Sequence, residues 1–106
     1  MKTKMGLKPS NLLVKVIDVK GHCPVYKVGD VFRIVDGFKL VSDKPLCIHS
    51  LTSFMPYYVA LSRGVSPSEL GLAREGKAAY LQCPDPCELT GGGTVIFGIE
   101  SEDESG

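Results

Sequence analysis

The run VFRIVDGFKLV, residues 31–41, places the tightest constraint on the fold. An Asp-Gly pair between alternating apolar residues is the strongest short-range signal for a β-hairpin, because the preferred two-residue turn puts both central residues at positive φ. The pattern predicts a strand over 31–35, with Phe32 and Ile34 on one side, a turn at Asp36-Gly37 and a return strand over 38–41. Upstream, NLLVKVIDVK (11–20) is rich in valine. Leu12, Val14 and Val16 fall on one face; Leu13, Ile17 and Val19 fall on the other, beside Lys15. That predicts a strand covered on both faces for part of its length. AAYLQC (78–83) and TVIFGIE (94–100) read as two more strands, the second with Val95, Phe97 and Ile99 on one face.

Between the hairpin and these last strands the period changes. Cys47, Leu51, Phe54, Met55 and Tyr58 share one face of a helix. Gly64 is its C-terminal stop. Pro56 lies inside this pattern, where it removes a hydrogen bond and clashes with the preceding turn, so a kink or two abutting helices are expected. SPSE (66–69) opens a short second helix, with Ser66 as N-cap, Pro67 at N1 and Glu69 closing a capping box. The expected fold is α+β: a mostly antiparallel sheet of about five strands packed against a kinked helix and a short second helix. Residues 1–11 are expected to be a flexible arm, 12–100 a single domain, and 101–106 a disordered acidic tail.

Composition narrows the function classes. The chain has 106 residues, the size of one small domain, and its 43% hydrophobic content suffices for a core without disulfides. Twelve basic and 12 acidic residues balance to zero net charge, which argues against nucleic-acid binding. No apolar run is long enough to cross a bilayer, and MKTKMGLKPS lacks the apolar core of a secretory signal. A cytoplasmic location follows as the expectation. Cysteines there stay reduced, so four of them read as metal ligands, redox thiols or core residues before they read as disulfides.

Those four are Cys23, Cys47, Cys83 and Cys87. Cys23 and Cys83 each follow a strand and precede a proline, which holds the preceding residue extended. If the first strand and the 78–83 strand run parallel and adjacent, both thiols leave the same edge of the sheet, with the helices as crossover. Cys47 lies near the start of the long helix, where exposed N–H groups favour a thiolate. Cys87 closes CPDPC, a stiff loop that directs two thiols toward one point. Together the four meet the needs of a structural zinc or an iron–sulfur cluster, although only one short pair is present and a C-x2-C pair is absent. The competing reading makes Cys47 a small apolar core residue. A Cys83–Cys87 disulfide is disfavoured in a reducing compartment.

His22 and His49 read first as solvated or hydrogen-bonded residues, and second as reserve ligands or supporting groups of a metal. His49 follows Cys47 by two residues, about 200° around a helix, so the two share a ligand only where the backbone is not helical. A nucleophilic-cysteine enzyme is the rival class, pairing Cys23 with His49 or Cys47 with His22, though no active-site signature supports either pair. GGGT (91–94) is followed by no G-K-[ST] and is read as a flexible entry to the last strand, not a phosphate loop. Tyr57 and Tyr58 read as core or pocket lining.

GHCPVYKVGDVFRI, PLCIHSLTSFMPYYVALSRGVSPSELGL, AYLQCPDP and GGGTVIF together resemble a family of small single-domain proteins of about a hundred residues from archaea and anaerobic bacteria. The resemblance spans about residues 12–100. It implies a cytosolic protein of anaerobic metabolism and no established activity. It also implies cysteines at the positions of Cys23, Cys47 and Cys83, with glycine the commoner residue at the position of Cys87. A three-thiolate metal site would keep one position open for water, His49 or a substrate. The expected function is therefore an accessory or redox protein binding zinc or an iron–sulfur cluster. The alternatives are a thiol-dependent enzyme or small-molecule binder, or an interaction module with buried cysteines. A protein or small-molecule partner and a homodimer through an open sheet edge are compatible with each.

Overall fold

The computed structural model describes residues 8–102. Among them, five strands form one antiparallel sheet: β1 (Leu12–Gly21), β2 (Val31–Val35), β3 (Lys39–Val41), β4 (Ala79–Gln82) and β5 (Gly93–Ser101). The order across the sheet is β3-β2-β1-β5-β4. The hairpin turns at Asp36 (φ 59°) and Gly37 (φ 85°), both left-handed, and Phe38 N–H donates to Val35 O at 3.2 Å. The paired residues flanking the loop are Val35 and Lys39, so Phe38 is an extra loop residue and the return strand starts one residue later than the expected two-residue turn would place it. The expectations for residues 1–7 and 103–106 lie outside the described residues. From Ser10 onward the arm is tied down: Ser10 N–H donates to Ser62 O at 2.8 Å, and Asn11 Oδ1 accepts the Asp36 N–H at 2.9 Å.

The alternation in β5 buries Val95, Phe97 and Ile99, opposite Leu12, Val14 and Val16 of β1 and Phe32 and Ile34 of β2. β1 departs from the expected face assignment. Its register against β5 shifts between Val16 and Asp18, a β-bulge at Ile17. The extra residue turns the strand by one position, so Val19 packs against the core instead of sharing a face with Leu13 and Ile17. The outer face is not covered as expected: Ile17 is 41% exposed.

The expected kinked helix is resolved into two short ones, α1 (Ile48–Leu51) and α2 (Tyr58–Ser62), separated by turns around Pro56. With the helix interrupted, the helical spacing that placed Met55 inward no longer applies, and Met55 is exposed. Phe54 remains buried, its ring centroid 5.0 Å from Phe97 and 5.8 Å from Phe32. The segment after Gly64 forms a 3-10 turn at Pro67–Leu70, with Ser66 Oγ accepting the Glu69 N–H at 3.3 Å. Left-handed Gly71 ends it. A second 3-10 turn, Cys87–Leu89, lies between β4 and β5. No helix among the described residues is long and apolar enough to cross a membrane.

Candidate functional site: four free thiols

β1 and β4 are both antiparallel to β5, so they run in the same direction without being neighbours; β5 lies between them. The expected adjacency is thus corrected, because a chain that returns through β5 inserts it in the middle. The consequence for the thiols survives. Cys23, two residues after β1, and Cys83, one residue after β4, leave the same end of the sheet, where β5 begins at Gly93. The approach there is close. A Cβ on Gly93 would lie 2.8 Å from Cys23 N and from the His22 carbonyl carbon. Cys83 continues the ladder, its N–H donating to Val95 O at 2.9 Å, and its thiol donates to Gly93 O at 3.7 Å.

The proline after each of these cysteines opens a turn that brings a main-chain donor back onto the sulfur. Tyr26 N–H donates to Cys23 Sγ at 3.3 Å, and Asp85 N–H donates to Cys83 Sγ at 3.5 Å. Cys23 is half-buried and Cys83 buried, and both belong to the core contacts.

Cys47 is the N-cap residue of α1 and packs against the same core as Cys23 and Cys83. Its side chain makes no cap bond. The Cys47 N–H donates to the Tyr26 hydroxyl oxygen at 3.1 Å. The Ser50 hydroxyl donates to Cys47 O at 2.7 Å, which occupies its proton. The 2.8 Å bond between Tyr26 and Ser50 is therefore donated by the phenol. The result is a closed ring, Cys47 N–H to Tyr26, Tyr26 to Ser50, Ser50 to Cys47 O, around the first turn of α1. Burial pushes the Tyr26 phenol above its ordinary pKa, while its hydrogen bonds to Ser50 and Cys47 act in the opposite direction. Phe97 supports the ring edge-on at 5.4 Å.

A second tie holds the Cys47 segment to the Cys23 loop. Lys44 Nζ donates to Val25 O at 3.1 Å and to Asp30 Oδ2 at 2.5 Å, and Asp30 also accepts the Lys27 N–H at 2.9 Å. The Lys44 hydrogen bond holds the Asp30 carboxyl below its usual range, aided by the Lys27 N–H.

Cys87 stands at φ 50°, a left-handed position that disfavours a side chain. Two bonds keep it there: its N–H donates to Asp85 Oδ1 at 2.8 Å, and its thiol donates to Lys20 O at 3.6 Å, beside Gly21. A Cβ on Gly21 would meet Cys87 Sγ at 2.5 Å. Thr90 Oγ1 also donates to Asp85 Oδ1. This bond, then the Cys87 N–H, lowers the Asp85 pKa, with a smaller contribution from the charge of His49. His49 is exposed on α1. His22, also exposed, uses its main-chain N–H on Gly92 O at 3.1 Å.

All four cysteines are free thiols. Among the described residues, no three or more His, Cys, Asp or Glu side chains are grouped so as to hold a metal ion. Sequence reading missed Tyr26, Lys44 and Asp85, the residues that join the thiol-bearing segments. Comparison with protein-family models, with curated proteins and with solved structures finds no match to this chain.

Proposed function

We propose that this is a cytosolic accessory protein in which the cysteine-lined end of the sheet binds a soft metal, zinc or an iron–sulfur cluster. The observation that carries the reading is the pair of N–H···S bonds, to Cys23 from Tyr26 and to Cys83 from Asp85. Main-chain donors aimed at sulfur orient a thiolate ligand and offset its charge. The donor set fits by its chemistry, since sulfur from several chain segments is what zinc and iron–sulfur clusters take. Cys23, Cys47 and Cys83 would be the ligands, Cys87 an optional fourth, and His49 and His22 reserve or supporting groups. A bound metal would supply a cross-link between the segments or a redox centre. Ligation requires the thiols to draw together, and Cys83 and Cys87 to give up their S–H bonds to Gly93 O and Lys20 O. Kinship with the small archaeal and anaerobe family belongs to the same proposal.

A second reading is favoured by the spacing of the thiols, which are not grouped around one point. In it Cys23 or Cys83 acts singly, as the reactive group of a thiol enzyme or a small-molecule binder. The deciding experiment is metal content and thermal stability of Cys83→Ser. The metal reading expects both to fall together, because metal binding contributes to folding. Unchanged metal content would remove Cys83 from the site.

A further inference from the structure

We propose that Tyr26 and Asp85 are matched positioning residues, each clamping one two-thiol half of the site: Cys23 with Cys47, and Cys83 with Cys87. The two halves are built alike. In each, the main-chain N–H of one residue donates to the sulfur of a Cys-Pro cysteine, and the side-chain oxygen of that same residue accepts the main-chain N–H of the second cysteine. Tyr26 does this at 3.3 Å to Cys23 Sγ and 3.1 Å from Cys47 N, and Asp85 at 3.5 Å to Cys83 Sγ and 2.8 Å from Cys87 N. One residue thus fixes both the direction of one sulfur and the backbone that carries the other.

Each clamp is itself held. The phenol of Tyr26 is locked by Ser50, which is 1% exposed, and its ring by Phe97. Asp85 is held by Thr90 at its carboxylate and by Thr94, whose hydroxyl donates to Asp85 O at 2.5 Å. The halves meet where Gly93 of β5 runs against Cys23 N, leaving no room for a side chain between them. Cys47 and Cys87, the two cysteines outside Cys-Pro pairs, are therefore the thiols whose placement depends on the clamps' side chains. The inference deepens the thiol-site reading and rests on it, but the clamps can be tested whether or not a metal binds.

The test is the alkylation rate of each cysteine by iodoacetamide, read by mass spectrometry on the full chain under reducing conditions. Tyr26→Phe keeps the ring and the main-chain N–H and loses only the hydroxyl. It is expected to speed Cys47 about fivefold, the order of change that losing the one hydrogen bond on Cys47 itself makes to a local opening, with Cys83 and Cys87 unmoved. Asp85→Ala is expected to speed Cys87 by a similar factor, about fivefold, with Cys23 and Cys47 unmoved. Asp85→Asn, which retains an oxygen acceptor, should restore the wild-type rate at Cys87. A rise at all four thiols in either variant, no change at Cys47 or Cys87, or an asparagine variant as reactive as the alanine one would overturn the clamps. Titration with zinc alone separates the two ideas. Failure of the wild type to bind zinc sinks the metal reading and leaves the alkylation pattern to decide the clamps.

Discussion

Gly93 and Cys87 show how single residues shape this end of the sheet. At Gly93 a methyl group would press on Cys23 N and the His22 carbonyl, both main chain and unable to rotate away. Gly93→Ala is expected to cost about 1–3 kcal/mol, as overpacking does, and urea titration would measure it. At Cys87 the sign reverses. A left-handed φ of 50° favours glycine, and relief of that strain is worth about 1 kcal/mol, set against the entropy glycine adds to the unfolded chain. Cys87→Gly should therefore melt within a few degrees of wild type and lose less metal than Cys83→Ser; equal metal loss would favour four ligands. The strand-exit placement of Cys23 and Cys83 was legible because strand alternation and the following proline mark both in the sequence. The left-handed backbone of Cys87 was not, since CPDPC contains no glycine to announce it.

Between elements, Lys44 joins the approach to α1 to the loop after β1, through Asp30 and Val25. Asp30 has its pKa lowered by Lys44, so the sign is fixed: its contribution to stability is full above the unfolded-chain value near 4 and fades as pH falls through the lower folded value. Lys44→Met should lose about 1 kcal/mol at pH 7 because the pair is partly exposed, and the difference from wild type should shrink toward pH 3. Denaturant unfolding at both pH values checks this; a constant difference would show that packing, not the ion pair, is lost. Such long-range ties are set by where loops meet in space, and the sequence showed neither. The same holds for the bulge at Ile17, which exists only in register with β5 and carries Val19 to the core. The hairpin needed no such partner, because Asp36-Gly37 encodes its own turn.

At the scale of the whole molecule, the site and the core are one structure. Phe97 touches the rings of Tyr26, Phe32 and Phe54, so the residue at the centre of the aromatic core also braces the clamp on Cys47. Phe97→Ala should cost about 3–5 kcal/mol, a large share of the stability of a domain this size, and calorimetry would record the fall in melting temperature. The antiparallel five-stranded architecture was legible from alternation and turn signals. The position of β5 between β1 and β4 was not, because alternation fixes faces and leaves neighbours open. That position nevertheless sends Cys23 and Cys83 out of the same end of the sheet. The central claim is that these thiols serve a soft metal. Elemental analysis with an absorption spectrum, on protein purified without oxygen or chelator, tests it most directly. Near-stoichiometric zinc, or iron with a visible charge-transfer band, is the predicted result; colourless, metal-free protein with four free thiols would contradict it.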